Sequence, residues 1–362
     1  MIIGIDASRA ITKQKTGTEK YSRDLIFALA KVDKKNSYCL YVGPNYDSSF
    51  DNLPKNFKVV IINRRKLWTQ IGLSLEMISN KPDVLFVPSH ILPPFTPKHA
   101  VTTIHDLAWK YYPEAYSSKE IRLHDLGIRR AIKKNASIIV YSKSTSSDLK
   151  KYYKVDEKMI CFVPMGFNSE SSGGTASEKI RDISESPYIL FVGRLESKKN
   201  LVNLVKAYEM LRSERRINHR LVLVGKPGYG YEEIKKEIEA SKFSDDIVET
   251  GFISDADRDL LNKKAELFAF PSLFEGFGYP ILEAFVAGIP VVTSKISSMP
   301  EVAGHGAILV NPKKPFEIAA AMSQIINKPD LKSKLIKAGN SELSKYSWET
   351  CARATLKVLE SK

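Results

Sequence analysis

Short apolar runs alternate along this chain with amphipathic stretches of helical period. That alternation constrains the fold more than any other feature. The runs fall at 2–5 (IIGI), 38–42 (YCLYV), 58–62 (KVVII), 83–87 (DVLFV), 100–104 (AVTTI), 137–141 (SIIVY), 160–163 (ICFV), 188–192 (YILFV), 220–224 (RLVLV), 247–250 (IVET), 267–270 (LFAF), 290–293 (PVVT) and 307–310 (AILV). Helical patterns such as 19–32, 119–135, 198–212 and 254–264 lie between many of them. A strand that is apolar on both faces must be covered on both faces, and intervening helices supply the cover. The pattern predicts α/β units with mainly parallel sheets.

The alternation breaks at 168–187, NSESSGGTASEKIRDISESP, which is polar and rich in Ser and Gly. At 362 residues the chain is long enough for two cores. The break reads as a linker between an N-terminal domain, 1–167, and a C-terminal domain, 188–346; an ordinary surface loop is the alternative. The last segment, 347–362 (SWETCARATLKVLESK), has a helical apolar pattern behind a Ser cap and is expected to pack back toward the N-terminal domain. Parallel sheets bind ligands beyond the carboxyl ends of their strands. Two such Rossmann-like domains facing each other would hold a site in the cleft between them.

Composition narrows the class. No apolar run reaches the roughly 18 residues of a membrane span, and MIIGIDASRA reads as a first buried strand rather than a signal peptide. Cys39, Cys161 and Cys351 are far apart and odd in number, which fits reduced, mostly buried thiols in a cytoplasmic protein better than a disulfide or zinc framework. The net charge of +14 is concentrated: residues 1–166 carry 27 Lys and Arg against 15 Asp and Glu, leaving 28 against 26 for the rest. Such a field suits nucleic acid, an anionic membrane surface or a phosphorylated substrate; a basic protein with no special partner is the plainer reading. Two basic stretches contribute, RRKLWTQ at 64–70 and the helical pattern 119–135 with Arg122, Arg129, Arg130, Lys133 and Lys134. Either can rest on anionic lipid or be a solvated face, with Trp68 in the core.

Candidate chemistry sits mostly in the second half. The strand YILFV leads through Gly193 to Arg194 and Lys199 ahead of a helix. Cations there, beside a helix start, suit an anion: Arg194 as a planar fork, Lys199 as a point charge. In FEGFGYPILE (274–283), Gly276 and Gly278 allow close backbone approach to a ligand, and Pro280 suits the first turn of a helix. Amides from Phe277 to Ile281 would face a diphosphate or a sugar hydroxyl. Glu275 before the helix and Glu283 inside it are acceptors for hydroxyl groups. A paired-carboxylate hydrolase is the rival for these two acids.

EGFGYPILE resembles the Glu-x7-Glu motif of retaining GT-B glycosyltransferases, and the rest of the chain agrees in order with family 4 of those enzymes. FVGRLESKKN resembles the family's Arg/Lys donor motif, FVPMGFN (162–168) the segment closing the first domain, and AGIPVVTSKISSMPEVAG (287–304) the stretch after the second glutamate. TGTEKYSRDL (16–25) resembles its glycine loop and first helix, and TIHDLAWKYYPEAY (103–116) its His-Asp segment, in the form closest to bacterial mannosyltransferases of polysaccharide and O-antigen assembly. The resemblance implies that Arg194 and Lys199 hold the donor diphosphate, Glu283 the ribose, and Glu275 the transferred sugar, with amides near Phe277, Gly278 and Tyr279. It implies that backbone around Ile253 meets the base, that His105 reaches the donor sugar and phosphate, and that Gly17 lies near the phosphates and acceptor. Many relatives have two glycines where this chain has Gly17 alone.

The implied function is hexosyl transfer with retention, from a nucleotide-sugar such as GDP-mannose to a glycan or lipid-linked acceptor bound by the first domain. UDP-sugar-dependent glucosyl or N-acetylglucosaminyl transfer, and a sugar-nucleotide epimerase, are the alternatives. No cofactor and no metal are expected. The Asp-x-Asp of SDADRD, Asp255 and Asp257, follows Ser254 and reads as the acidic first turn of a capped helix. His90, His99, His124, His219 and His305 show no metal spacing. GKPGYG (225–230) lacks the ending of a phosphate-binding P-loop and reads as a loop beside the nucleotide site. Without the resemblance, His105 reads as a structural histidine, with Asp106 as the neighbour that could orient it. A nucleic-acid module would explain the basic half but leave the glutamate loop, Arg194 and Lys199 without a purpose, so no nucleic-acid partner is expected.

Overall fold

The computed structural model describes residues 1–11, 17–89, 91–168, 174–214 and 216–361. His90, the residues just before Gly17, part of the 168–187 segment and the terminal Lys362 lie outside the described residues. The chain divides into two compact units, Met1–Asn168 with Tyr346–Lys362, and Ser169–Lys345.

The first unit is built on seven parallel strands: β1 (Ile2–Asp6), β2 (Ser37–Val42), β3 (Phe57–Ile61), β4 (Val84–Val87), β5 (His99–Thr103), β6 (Ser137–Val140) and β7 (Ile160–Phe162). Their order in the sheet is β3-β2-β1-β4-β5-β6-β7. All of β4 is buried, as a strand covered on both faces requires. The helices are α1 (Gly17–Val32), α2 (Ser74–Ser79), α3 (Ser118–Lys133) and α4 (Lys143–Tyr153). α3 starts with a reciprocal cap: the Ser117 hydroxyl accepts the Glu120 amide, and the Glu120 carboxylate accepts the Ser117 amide. One face of the sheet closes over Leu85, Val87, Ile138 and Val140 with Leu73, Trp109 and Ile128 from the connections.

The second unit has six parallel strands: β8 (Tyr188–Val192), β9 (Arg220–Val224), β10 (Ile247–Gly251), β11 (Leu267–Phe270), β12 (Val291–Ser294) and β13 (Ala307–Val310), ordered β10-β9-β8-β11-β12-β13. Its helices are α5 (Glu178–Ile183), α6 (Leu201–Ser213), α7 (Tyr231–Ala240), α8 (Asp255–Lys264), α9 (Tyr279–Val286), α10 (Met299–Ala303), α11 (Pro315–Asn327) and α12 (Pro329–Leu343). α5 lies within the stretch read as a linker. It packs on α8, and the Ser177 amide ahead of it donates to Asp257 at 2.6 Å.

The chain's last helix, α13 (Trp348–Glu360), belongs to the first unit and packs on α1. Ser347 caps it by accepting the Thr350 amide at 3.1 Å. Trp348 fits because residue 166 has no side chain: a Cβ on Gly166 would stand 2.2 Å from the indole.

Each apolar run named from the sequence is a strand, displaced by at most a residue or so. The cysteines are free thiols; Cys351 is buried, and Cys39 and Cys161 are only half-buried. No helix among the described residues is long and apolar enough to cross a membrane.

Candidate active site

In both sheets the strand order reverses beside the first strand, at β1/β4 and at β8/β11. Open parallel sheets leave a crevice at the carboxyl ends of such strands. In the second unit, the loops leaving β8 and β11 carry the acidic and basic residues singled out above.

The loop after β8 is fixed through its backbone. Gly193 donates to Val224 O at 2.9 Å, Leu195 to Lys226 O at 2.9 Å and Ser197 to Tyr229 O at 2.9 Å. These bonds press it against 225–230. A Cβ on Gly225 would stand 1.8 Å from Gly193 O, and one on Gly230 would stand 1.9 Å from Ser197 Oγ. The glycines of GKPGYG thus serve close packing against the Arg194–Lys199 loop. Asn200 ends that loop at φ 63°. Its buried amide donates to Pro271 O at 3.0 Å and Pro312 O at 2.6 Å, tying the loop to the one after β11. Arg194 is exposed.

The loop after β11 runs through Glu275 into α9. Lys199 Nζ lies 2.5 Å from Glu275 Oε1, with 12% and 13% of the two side chains exposed, so water screens the pair weakly. The ammonium also lies over the Phe270 ring, 5.3 Å from its centroid. The pair therefore straddles the switch point between β8 and β11. Two serines the sequence reading passed over hold this loop. Ser297, at φ 58°, donates from its hydroxyl to Glu275 O at 2.7 Å and accepts the Glu275 amide at 3.1 Å. Ser298 donates to Phe277 O at 2.6 Å.

Gly278 caps α9 at φ 118°, a conformation that favours glycine, and Pro280 lies in the first turn as expected. The Ile281 amide donates to Gly278 O at 3.0 Å, which takes it out of the expected ligand-facing set. Glu283, half-buried, lies one turn into the helix.

Ile253 lies just beyond β10, whose end is anchored by Gly225 donating to Gly251 O at 3.0 Å. The preceding Phe252 is 76% exposed, with Lys226 over its ring at 4.8 Å. Ser254 caps α8 by accepting the Asp257 amide at 3.1 Å. Asp257 accepts the Ser177 amide, which holds its carboxyl below the usual range, and Asp255 pairs with Arg258 at 2.9 Å. Both acids are thus engaged by the helix start.

Gly17 and His105 belong to the first unit. Gly17 opens α1, is exposed, and has open space where a Cβ would be. Its neighbour Thr18 and His105 line one cavity. The His105 imidazole is not oriented by Asp106, which instead accepts the Ala108 amide at 2.9 Å. Tyr141, at the end of β6, donates from its hydroxyl to Nδ1 at 2.6 Å, and Nε2–H donates to Pro88 O at 3.0 Å. Burial holds His105 below the usual histidine value, so the ring is neutral with its proton on Nε2.

The basic stretches divide. On α3, Arg129 pairs with Asp125 at 2.6 Å, and Arg130 donates to Gln70 Oε1 at 2.9 Å and Leu92 O at 2.6 Å, so both are structural. Trp68 packs on the core. Arg64, Arg65 and Lys66 are exposed and in no ion pair among the described residues. Leu67, Leu75 and Ile78, exposed by 62%, 56% and 57%, lie in the same stretch and on α2.

Residues 175–342 match the family described as Glycosyl transferases group 1. The chain is 24% identical to an O-antigen chain mannosyltransferase B of Escherichia coli over 97% of its own length and 98% of the relative's. It is 28% identical to an MMP alpha-(1->4)-mannosyltransferase of Mycolicibacterium hassiacum, over 64% of this chain and 56% of that one. Among solved structures it resembles a sucrose-phosphate synthase from Thermosynechococcus elongatus, with a TM-score of 0.74, 18% identity and coverage of 99% and 98%. It also resembles WaaG, a glycosyltransferase involved in lipopolysaccharide biosynthesis, with a TM-score of 0.72, 13% identity and full coverage of both chains. The chain has the GT-B fold, its residues 175–342 match the glycosyl transferases group 1 family, and over nearly its whole length it is similar to a bacterial mannosyltransferase.

Proposed function

We propose that the chain transfers a mannosyl group from GDP-mannose to a hydroxyl of a glycan or lipid-linked acceptor, with retention of anomeric configuration and without a metal. The observation that carries this reading is the Lys199–Glu275 pair at the switch point of the second sheet. A nucleotide-sugar joins an anionic diphosphate to a hydroxyl-bearing ring, and the pair offers a cation and an acceptor side by side. Lys199 and Arg194 neutralise the diphosphate, and Glu275 accepts from hydroxyls of the sugar. Glu283 takes the ribose, backbone at Ile253 the base, and the Phe277–Tyr279 backbone the diphosphate or a sugar hydroxyl. The bond from C1 to the phosphate oxygen breaks, and the acceptor oxygen bonds to C1 on the same face. The acceptor's proton passes to the departing diphosphate. Charge neutralisation by two cations serves that leaving group, and Asp255 and Asp257 are already engaged in α8. His105 in this scheme meets the sugar through a ring whose tautomer Tyr141 and Pro88 fix. Named mannosyltransferases among the relatives support the sugar.

We also place the enzyme in the cytoplasm, resting on an anionic membrane surface through Arg64, Arg65, Lys66 and the exposed Leu67, Leu75 and Ile78. Uncompensated cations beside exposed apolar side chains support this. A UDP-sugar donor is the second reading, supported by a structural neighbour solved with UDP and glucose at a TM-score of 0.70.

Incubation with GDP-mannose, UDP-glucose or UDP-N-acetylglucosamine and methyl mannoside or oligomannoside acceptors, in EDTA, tests the whole reading. The expected product is an α-mannoside, its configuration read by NMR. Nucleotide release without a new glycosidic bond would sink the transferase; strict metal dependence would sink the metal-free mechanism.

A further inference from the structure

His105 is held by two bonds, from the Tyr141 hydroxyl to Nδ1 and from Nε2–H to Pro88 O. Both lie in the plane of the imidazole, at its rim. A ring held at two rim atoms can still tilt about the line through them. A limit on that tilt has to come from packing. Tyr21, on α1 and fully buried, supplies it: its ring centroid lies 5.4 Å from that of His105, with the planes at 87°. Tyr141 meets His105 at 5.4 Å and 55°, and Tyr21 at 5.2 Å and 62°, so the three rings close a triangle. These separations fall within the about 4.5–7 Å of favourable aromatic pairs, and the steep angle of Tyr21 on His105 is the edge-to-face arrangement that ring quadrupoles favour. In a close-packed interior, one ring of such a triangle tilts only if the others give way.

Tyr21 has a further neighbour from far along the chain. Trp348, the first residue of α13 and 8% exposed, lies 6.1 Å from it at 40°. The indole is itself closely seated. A Cβ on Gly166 would stand 2.2 Å from it, and the Ser347 cap fixes where α13 begins. An anchor for α13 alone could pack on any apolar side chain. Here the anchor meets the ring that flanks the imidazole.

We infer that Tyr21 and Trp348 are positioning residues for His105: Tyr21 sets the tilt of the imidazole, and Trp348 holds Tyr21 in the place from which it does so. The last helix of the chain is then part of what builds the site in the first unit, beyond covering α1. That an oriented His105 matters for transfer rests on the reading above; the packing around the ring does not.

The test reads the two imidazole nitrogens of the full chain by 15N NMR of labelled histidine near pH 8, above the ordinary histidine value of about 6.5. The His105 signals are assigned by their loss in His105→Ala. The wild type should show one protonated and one bare nitrogen. Tyr21→Leu and Trp348→Leu, or Trp348→Met where the leucine does not fold, should loosen both rim bonds and draw the two nitrogen shifts toward each other. Loss of a neighbouring ring current is too small to do this. His124 and His219 should stay as they were. Under the transferase reading, the same variants should lower kcat about tenfold with the donor KM changed less than about twofold, as for a misplaced group that acts in the transition state. Tyr21→Phe and Trp348→Phe, which keep a ring, should stay near the wild type in both readouts. Leu359→Ala, also buried on α13 but about three turns from Trp348, should lower the melting temperature and leave the His105 nitrogens alone. Unmoved nitrogens in the leucine and methionine variants overturn the positioning, whatever happens to kcat. So does a Leu359→Ala protein whose nitrogens move as far, or a phenylalanine variant as damaged as its leucine counterpart. Nitrogens that respond as expected, in a protein whose His105→Ala variant transfers at full rate, leave the positioning standing and remove His105 from the transferase reading.

Discussion

The two units repeat one strand order and furnish its crevice differently. In the second, the loops leaving β8 and β11 bring Lys199 and Glu275 to 2.5 Å beside an exposed Arg194. In the first, the loop leaving β5, helix α3 and the start of α1 bring His105, Trp109, His124 and Thr18 around a cavity lined by no lysine or arginine. The same backbone geometry thus carries a buried ion pair beside an exposed cation in one unit and an uncharged aromatic lining with one carboxylate in the other. The net charge runs against this division. The basic excess lies in the first half, yet on its outer stretches rather than in its cavity. Global charge and site charge therefore answer different questions: the first concerns the surface the protein approaches, the second the group it binds.

The sharpest way to break the contrast is at the charged pair. Lys199→Ala should lower kcat/KM by about 10²–10³-fold, the usual scale for removing an electrostatic stabiliser of a developing charge. All three tryptophans, Trp68, Trp109 and Trp348, lie in the first unit, so their fluorescence reports on that unit alone and should not change. A normal rate in this variant would remove Lys199 from the site.

Gly166→Ala reverses the experiment. It forces a methyl group into the Trp348 ring and should destabilise the first unit by about 1–3 kcal/mol, seen as an earlier tryptophan transition in urea. Nucleotide binding by the folded protein should persist. An unmoved transition would show that the close approach of residue 166 to Trp348 is wrong.

Mild acid should also separate the units. Burial holds His99, His105 and His124 of the first unit below the ordinary histidine value, and His219 of the second. With its pKa lowered by folding, each resists a proton that the unfolded chain accepts near pH 6.5. Their stability contribution is complete above that pH and is lost as pH falls below it. The tryptophan-detected denaturation midpoint should therefore drop between pH 7 and 5, and His124→Gln should soften the fall. A midpoint indifferent to pH over this range would contradict the burial of these rings.

Smaller effects are expected at the surface. Replacing Arg64 and Arg65 by Ser should cost about 2 kcal/mol of binding to phosphatidylglycerol vesicles, near 1 kcal/mol for each cation. Transfer to a soluble acceptor should stay as it was. Equal binding of wild type and variant in a vesicle sedimentation assay would move the contact elsewhere. Ser254→Ala, which removes the α8 cap, should cost about 1 kcal/mol of stability without making the reaction metal-dependent.

The sheets were legible because fully buried parallel strands are written as unbroken β-branched and aromatic runs, as in YILFV and LFAF. The charged pair was legible as two motifs, although not as a contact, since Lys199 and Glu275 are brought together only by the pairing of β8 with β11. What escaped was support from distant side chains. Adjacency pointed to Asp106 as the partner of His105, whereas Asp106 closes a turn on Ala108 and Tyr141 reaches the ring from the next strand. Ser297 and Ser298 show no local pattern that foretells their hold on the 275–277 backbone. Arg130 read as a surface cation, while its guanidinium crosses to Gln70 and Leu92. Such bonds depend on which strands become neighbours, and periodicity along one segment carries no information about that.

The central claim is that Lys199 and Glu275 divide the donor between them, the lysine on the diphosphate and the glutamate on the sugar. Calorimetric titration of GDP-mannose against GDP, and of UDP-glucose against UDP, tests it most directly. Lys199→Ala should weaken nucleotide and nucleotide-sugar alike, by about ten- to a hundredfold, as expected for a charged hydrogen bond. Glu275→Ala should weaken the nucleotide-sugar alone and leave the free nucleotide bound at least as tightly. A Glu275→Ala protein that binds both ligands like the wild type, or loses both equally, would contradict that division of labour.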